Sequence, residues 1–246
     1  MDPDTSEKKL HLISQGTIMS NESSVRCKLK IELKQHQISM INAMKTLEQK
    51  SVSIDSEQHT ELHTNVGICG DDVGTGKSLS VLGLISENTS IKRRTNYHVT
   101  TQHYSVTQNA SRVAIPVNLI VVPHSIHKQW VTYIVAQTHL THYSVSKKSH
   151  IAKVDDIGNV DIILVSSTMY NQFIAFGYNH KTFFRRVIFD EADTIRIPSC
   201  REIDGQFVWL ITSSLENIMF PRGFYYVMNE HNVMHRKNVM GMNRHG

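Results

Sequence analysis

Cysteine is scarce. The 246 residues hold three, Cys27, Cys69 and Cys200, an odd number without metal-ligand spacing. That excludes a disulfide framework and a cysteine-built metal centre, and it fits a reducing intracellular compartment. Cys69 lies in an apolar strand pattern and reads as core rather than as a reactive thiol. No apolar run reaches membrane-spanning length, so no membrane partner is expected. The start, Met1-Asp2-Pro3-Asp4, is acidic and polar, unlike a secretory signal. No internal repeat is present. Charge of one sign does not dominate: the net charge is +4, with 20% charged and 40% hydrophobic residues. This permits nucleic-acid binding without requiring it. A chain of this size and composition can bury one large α/β core or two small ones.

The chain is organised around Gly67-Ile68-Cys69-Gly70-Asp71-Asp72-Val73-Gly74-Thr75-Gly76-Lys77-Ser78. It reads as a short buried strand, a glycine-rich turn and the first turn of a helix. Gly74 and Gly76 let the backbone curl so that successive N–H groups converge. The helix beginning near Lys77 adds its positive end. Lys77 supplies a cation for β- and γ-phosphates, and Ser78 a hydroxyl for Mg²⁺. Asp72, Val73, Gly74, Thr75 and Gly76 complete the phosphate loop. The strict motif has a glycine where Asp71 stands. Far downstream, Arg186-Val187-Ile188-Phe189-Asp190-Glu191-Ala192-Asp193 delivers two carboxylates at the end of an apolar strand. Asp190 is placed to hold Mg²⁺ and Glu191 to orient or deprotonate water. A nucleoside triphosphate with Mg²⁺ is the expected ligand, with Lys77, Asp190 and Glu191 as catalytic residues.

Residues 1–30 read as a polar tail and 50–64 as a polar connector. Ile38, Ile41, Met44 and Leu47 recur at helical spacing after Leu33-Lys34-Gln35-His36-Gln37. Gln37 is either a residue of an ordinary packing helix or an amide that pairs with adenine. Residues 87–116 form an irregular insertion with a hairpin pattern and the basic cluster Lys92-Arg93-Arg94. Val117–Pro123, Val160–Val165, Val187–Phe189 and Phe207–Ile211 are apolar runs with helical patterns between them. The alternation predicts an α/β fold, a three-layer α/β/α domain with a mainly parallel sheet. Functional groups should gather at the carboxyl ends of its strands. Ser125 is expected to cap the helix that follows Pro123.

Taken in order, Leu33…Gln37, Asp71–Ser78, Leu119-Ile120-Val121-Val122-Pro123…Gln129-Trp130, Asp190-Glu191-Ala192-Asp193 and Trp209–Ser214 resemble the first RecA-like lobe of superfamily 2 helicases. The likeness is nearest to Swi/Snf-type translocases, which also have an Asp at the position of Asp71. Asp193-Thr194-Ile195-Arg196-Ile197-Pro198 is similar to the helicases and transcription ATPases of large DNA viruses. The resemblance spans roughly residues 31–220. It implies ATP hydrolysis coupled to movement on, or remodelling of, nucleic acid, DNA before RNA. It implies that Gln37 contacts adenine, and that Thr212, Ser213 and Ser214 couple nucleotide state to the bound strand. His124, Ser125, Lys128, Ser167 and Thr168 would face nucleic-acid phosphates, which short hydroxyls, helix N-termini and a lysine suit.

The sequence departs from the family at Ser213-Ser214, where Gly or Ala and then Thr are usual. The family also uses a second RecA-like lobe that contributes arginines. Residues 221–246 read as a tail too short for one, so a second lobe or transcription proteins in trans are expected partners, and slow turnover is expected of the chain alone. The alternative is a nucleotide-gated nucleic-acid-binding or scaffold protein without efficient turnover.

Overall fold

Each near-continuous apolar run forms a strand, because a strand covered on both faces needs no polar alternation. The computed structural model describes residues 28–49, 52–55, 60–62, 64–87, 89, 91, 96–100, 105–109, 114–153, 157–179, 183–203, 205–219, 224–228 and 234–238. The expected tail as far as residue 27, the Lys92-Arg93-Arg94 cluster and residues 239–246 lie outside them. Helix α1 (Gln35–Gln49) is followed by β1 (Val52–Asp55), β2 (Thr60–Leu62), β3 (Val66–Gly70) and α2 (Lys77–Ser86). Then come β4 (Asn96–Thr100), β5 (Ser105–Asn109), β6 (Ile115–Val122), α3 (His124–Gln137), β7 (His142–Val145) and α4 (Lys148–Ile151). The chain continues through β8 (Ile162–Ser166), α5 (Tyr170–Asn179), β9 (Phe184–Phe189), β10 (Gly205–Thr212), α6 (Leu215–Met219), β11 (Phe224–Met228) and β12 (Met234–Asn238).

Six strands form one sheet in the order β3-β10-β9-β6-β8-β7, and every neighbouring pair is parallel. Side chains alternate between two cores. Ile120, Val122, Leu164, Ile188 and Trp209 face α1, α2 and α3 through Ile41, Met44, Leu82, Trp130 and Ile134. Leu119, Val121, Ile163, Val165 and Val187 face α5 through Tyr170 and Phe173. This is the three-layer α/β/α arrangement that the alternation of strand and helix patterns predicts.

A buried polar network pins α1 to three strands. Arg186 on β9 is fully buried and donates through Nε and Nη2 to Glu48 Oε1 and Oε2, both at 2.6 Å. Its Nη1 reaches Asn118 Oδ1 on β6 at 3.2 Å. Trp209 on β10 donates its indole N–H to Glu48 Oε1 at 2.9 Å. Lys45 of α1 also pairs with Glu87 at the end of α2. Burying a charge is costly unless it is paired, and here the fork of the guanidinium meets both carboxylate oxygens.

Four sequence expectations are corrected. The strand before the phosphate loop is not buried on both faces: β3 is an edge strand, and Val66 and Ile68 are 42% and 41% exposed. Its alternating burial reflects cover on one face only. The connector at 50–64 contains the antiparallel pair β1–β2. Part of the expected tail at 221–246 is the antiparallel pair β11–β12. Ser125 is not a cap, because α3 begins at His124 with Pro123 in the N-cap position and without a side-chain cap bond. With Pro123, at φ −53°, as N-cap, the helix starts two residues earlier than a Ser125 cap would start it. In the 87–116 insertion, β4 pairs antiparallel with β5 in a two-stranded sheet separate from the main one.

Candidate nucleotide site and nucleic-acid rim

The phosphate loop leaves β3 and enters α2 through two left-handed glycines, Gly74 at φ 84° and Gly76 at φ 87°. Gly76 is the N-cap of α2. The positive φ favours glycine there, and a Cβ would come within 2.1 Å of Gln37 Nε2 and displace that amide. Nothing lies within 4 Å of the position a Cβ would take at Gly74, so its positive φ rather than packing favours glycine there. Asp72 N–H donates to Asp71 Oδ1 at 2.8 Å, and Thr75 Oγ1 donates to Asp72 O at 3.0 Å. Val73 is 85% exposed at the tip.

Lys77 is 8% exposed and folds back into the loop. Its ammonium donates to the carbonyls of Asp71 and Asp72, both at 2.7 Å. The loop thus holds a buried cation against two neutral acceptors, which a phosphate oxygen would outbid as a charged partner. Helix α1 braces the other side. His36 Nε2 lies 2.8 Å from Thr75 O. Gln37 is buried, and its Oε1 accepts from Lys34 N–H at 2.9 Å. The structure brings Gln37 against the phosphate loop, a contact the sequence alone leaves open.

Ser78 lies in the first turn of α2 after β3, and Asp190 follows β9 on the far side of β10, yet Ser78 Oγ lies 3.4 Å from Asp190 Oδ2. Trp130 of α3 donates its indole N–H to the same oxygen at 2.7 Å. A hydroxyl and a carboxylate suit Mg²⁺, which prefers a few hard oxygens and keeps water and phosphate as its other ligands. Among the described residues no group of three or more His, Cys, Asp or Glu is placed to hold a metal by itself. The donor set therefore fits a cation that arrives with its nucleotide.

Burial pushes the Asp190 carboxyl above the usual carboxylate range, against the hydrogen bonds from Trp130, the Glu191 backbone and Ser78. Glu191 is also raised, first by burial and then by the charges of Asp190 and Asp193. It adopts φ 53°, an uncommon backbone state for a non-glycine residue at a functional position. A raised carboxyl binds its proton more tightly folded than unfolded. Its contribution is therefore most favourable at low pH and declines as pH rises from the unfolded value through the folded one. Asp190 therefore costs the ligand-free fold stability once the pH rises above the ordinary carboxylate range. Asp190→Asn keeps an acceptor for Trp130 and is expected to raise the melting temperature at neutral pH. That gain should vanish as pH falls below the ordinary carboxylate range. Thermal unfolding across pH checks this, and a lower melting temperature at neutral pH would refute it.

Thr212 joins the two halves of the site. Its carbonyl accepts from Asp71 N–H at 3.3 Å, and its Oγ1 donates to Asp193 Oδ1 at 2.6 Å and accepts from Ser214 N–H at 2.8 Å. Ser213 is half-buried and adds no side-chain hydrogen bond among the described residues. Asp193, Trp130 and His36 are the site residues that sequence reasoning missed as such. Asp193 and Trp130 stand inside quoted motifs, and only their long-range partners reveal the role.

On the same carboxyl-end rim, His124, Ser125, Lys128 and Thr168 are exposed and Ser167 is half-buried. His124 Nδ1 lies 3.3 Å from Ser166 Oγ, which lies 3.0 Å from Thr168 Oγ1. The start of α3 and the end of β8 therefore form one polar face. Cys69 is buried beneath the loop, and its thiol is pushed up to about 11 by burial and the Asp71 charge, which makes it inert as expected. Among the described residues no helix is long and apolar enough to cross a membrane.

A candidate helicase of Acanthamoeba polyphaga mimivirus is 32% identical over a stretch covering 43% of this chain and 15% of that protein. The chain thus spans a small part of the length of its relative. The Type ISP restriction–modification enzyme LlaGI, solved with a DNA substrate mimic, aligns over 74% of this chain and 17% of its own at 14% identity. The TM-score is 0.45. The SNF2-related domain matches residues 36–212, from the start of α1 to the end of β10. That match takes in the phosphate loop, the paired carboxylates and Thr212, and the chain belongs to the family of SNF2-related domains.

Proposed function

We propose that this chain is the ATP-binding lobe of a nucleic-acid-dependent ATPase of helicase type. The observation that carries the reading is the meeting of Ser78 and Asp190, at 3.4 Å, beside a glycine loop closed around Lys77. When bound, Mg²⁺·ATP supplies the reactive phosphoanhydride and the charge that makes its terminal phosphorus electrophilic. Ser78 and Asp190 would hold the cation. The loop amides from Asp72 to Gly76 and Lys77 would bind the phosphates, with Lys77 exchanging its two carbonyl acceptors for phosphate oxygens. Gln37 would meet adenine from α1. Glu191 would orient water and take its proton, a role that its raised carboxyl suits.

His124, Ser125, Lys128, Ser167 and Thr168 would contact a phosphate backbone, with DNA the favoured track. Thr212, bonded to both the phosphate loop and the Asp193 side of the carboxylate turn, would pass nucleotide state between them, with Ser213 and Ser214 following it. Turnover would need an arginine from a second RecA-like lobe. Arg196, the arginine next to the carboxylates in sequence, is committed to the carbonyls of Asp193 and Ile195. The free thiols Cys69 and Cys200 support residence in a reducing intracellular compartment. The test is Mg²⁺·ATP affinity beside Lys77→Ala: loss of affinity in the variant supports the reading, and equal affinity contradicts it.

A further inference from the structure

Helix α3 touches both functions at once. Its first turn exposes His124, Ser125 and Lys128 on the rim. Farther along the same helix Trp130 turns inward and is 1% exposed. Its indole N–H donates to Asp190 Oδ2 at 2.7 Å. The main chain of Asp190 is held by the same unit, because its N–H donates at 3.0 Å to the carbonyl of Val121 on β6, just before α3 begins. Asp190 is therefore fixed twice to the β6–Pro123–α3 segment, through its backbone and through one carboxylate oxygen. Ser78 and Trp130 both reach Oδ2, so the two side-chain bonds that set the carboxylate's orientation fall on one oxygen.

An indole suits this duty. It has one N–H and no acceptor, so it can donate to the carboxylate but cannot bind the metal itself. Its ring is buried in a core cluster with residues of α1, α2 and the sheet, and close packing there leaves it little freedom to swing independently of α3.

We propose that Trp130 is a positioning residue that orients Asp190 toward Mg²⁺ and passes displacements of α3, when its first turn engages a phosphate backbone, to that carboxylate. The inference rests on the nucleotide-site and rim reading above. It assigns to one buried side chain the link between the two.

The test is binding by the whole chain. The affinity of a fluorescent ATP analogue is titrated with and without Mg²⁺, and with and without duplex DNA. Wild type is compared with Trp130→Phe and with a chain carrying 3-benzothienylalanine at position 130, an isostere that lacks only the N–H donor. Groups that orient a metal ligand are worth roughly 10–100-fold in metal affinity. The gain in nucleotide affinity given by Mg²⁺ should fall roughly tenfold in both variants, while Mg²⁺-free affinity stays near wild type. The factor by which DNA changes Mg²⁺·nucleotide affinity should move toward one. Trp209→Phe, which loses a bond to Glu48 instead, should keep both the gain and the factor.

If the isostere, folded by near-ultraviolet circular dichroism, keeps the wild-type gain and the wild-type DNA factor, the proposal is overturned. If wild type itself shows no Mg²⁺ dependence, or binds as well with Lys77→Ala, the nucleotide-site reading fails and takes this inference with it. The two failures are thereby told apart.

Discussion

Arg186→Ala is expected to destabilise the fold by about 3–5 kcal/mol, the usual result of removing one partner from a fully buried ion pair. Arg186 and Glu48 side chains are both 0% exposed. Without the guanidinium, Glu48 keeps the Trp209 indole but remains an unpaired charge in the core. Replacing both partners by apolar residues of similar volume should cost far less, because the desolvation penalty leaves with the charges. Urea unfolding of the single and double variants measures this, and a single-variant loss below about 1 kcal/mol would show that Glu48 finds another partner. The pair also has a functional side. Helix α1, which it pins, presents His36 and Gln37 to the phosphate loop, so loosening it should weaken nucleotide binding as well as stability.

Lys77→Ala is expected to lower Mg²⁺·ATP affinity by about 10–100-fold, the equivalent of about 1.5–3 kcal/mol for a hydrogen bond to a charged group. In the ligand-free fold the ammonium bonds two carbonyls, Asp71 O and Asp72 O, and the loop closes around it. Part of the binding energy is spent in drawing the lysine away from them. The variant frees those carbonyls to water, so its fold should change little in stability. An affinity series over ATP, ADP and AMP makes the point sharper. The loss should be greatest for ATP and smallest for AMP, since the lysine serves the outer phosphates. An equal loss for all three would mean that the substitution had disturbed the loop rather than removed a phosphate ligand.

Local features of this chain were legible in the sequence and long-range ones were not. Gly74 and Gly76 announce a left-handed turn because glycine is suited to that backbone, and both adopt it. The apolar runs at β6, β8, β9 and β10 announce a parallel sheet because both of its faces are covered. Glu48 and Arg186 carry no such signal. One stands near the end of an amphipathic helix and the other at the start of a strand, and only the fold brings them together across 138 positions. Trp130 reads as one apolar helix residue among several, and its donation to Asp190 spans 60 positions. The misplaced cap at Ser125 has a local cause, since Pro123 fixes the helix start before the hydroxyl can. The exposure of Val66 and Ile68 follows from strand order, which depends on how the whole sheet assembles.

The measurement that tests the central claim most directly is steady-state ATP turnover by the purified chain, with and without duplex DNA, beside Glu191→Gln as the blank. The account predicts that ATP is bound and that turnover by the chain alone stays near the level of the blank. Arginine supplied from a second lobe is worth about 10³–10⁵ in rate where such residues act. Adding a matching second lobe should therefore raise turnover in wild type and not in the blank. Strong DNA-stimulated turnover by the chain alone, abolished by Glu191→Gln, would contradict the need for a second lobe. Absence of any ATP binding would contradict the account at its root.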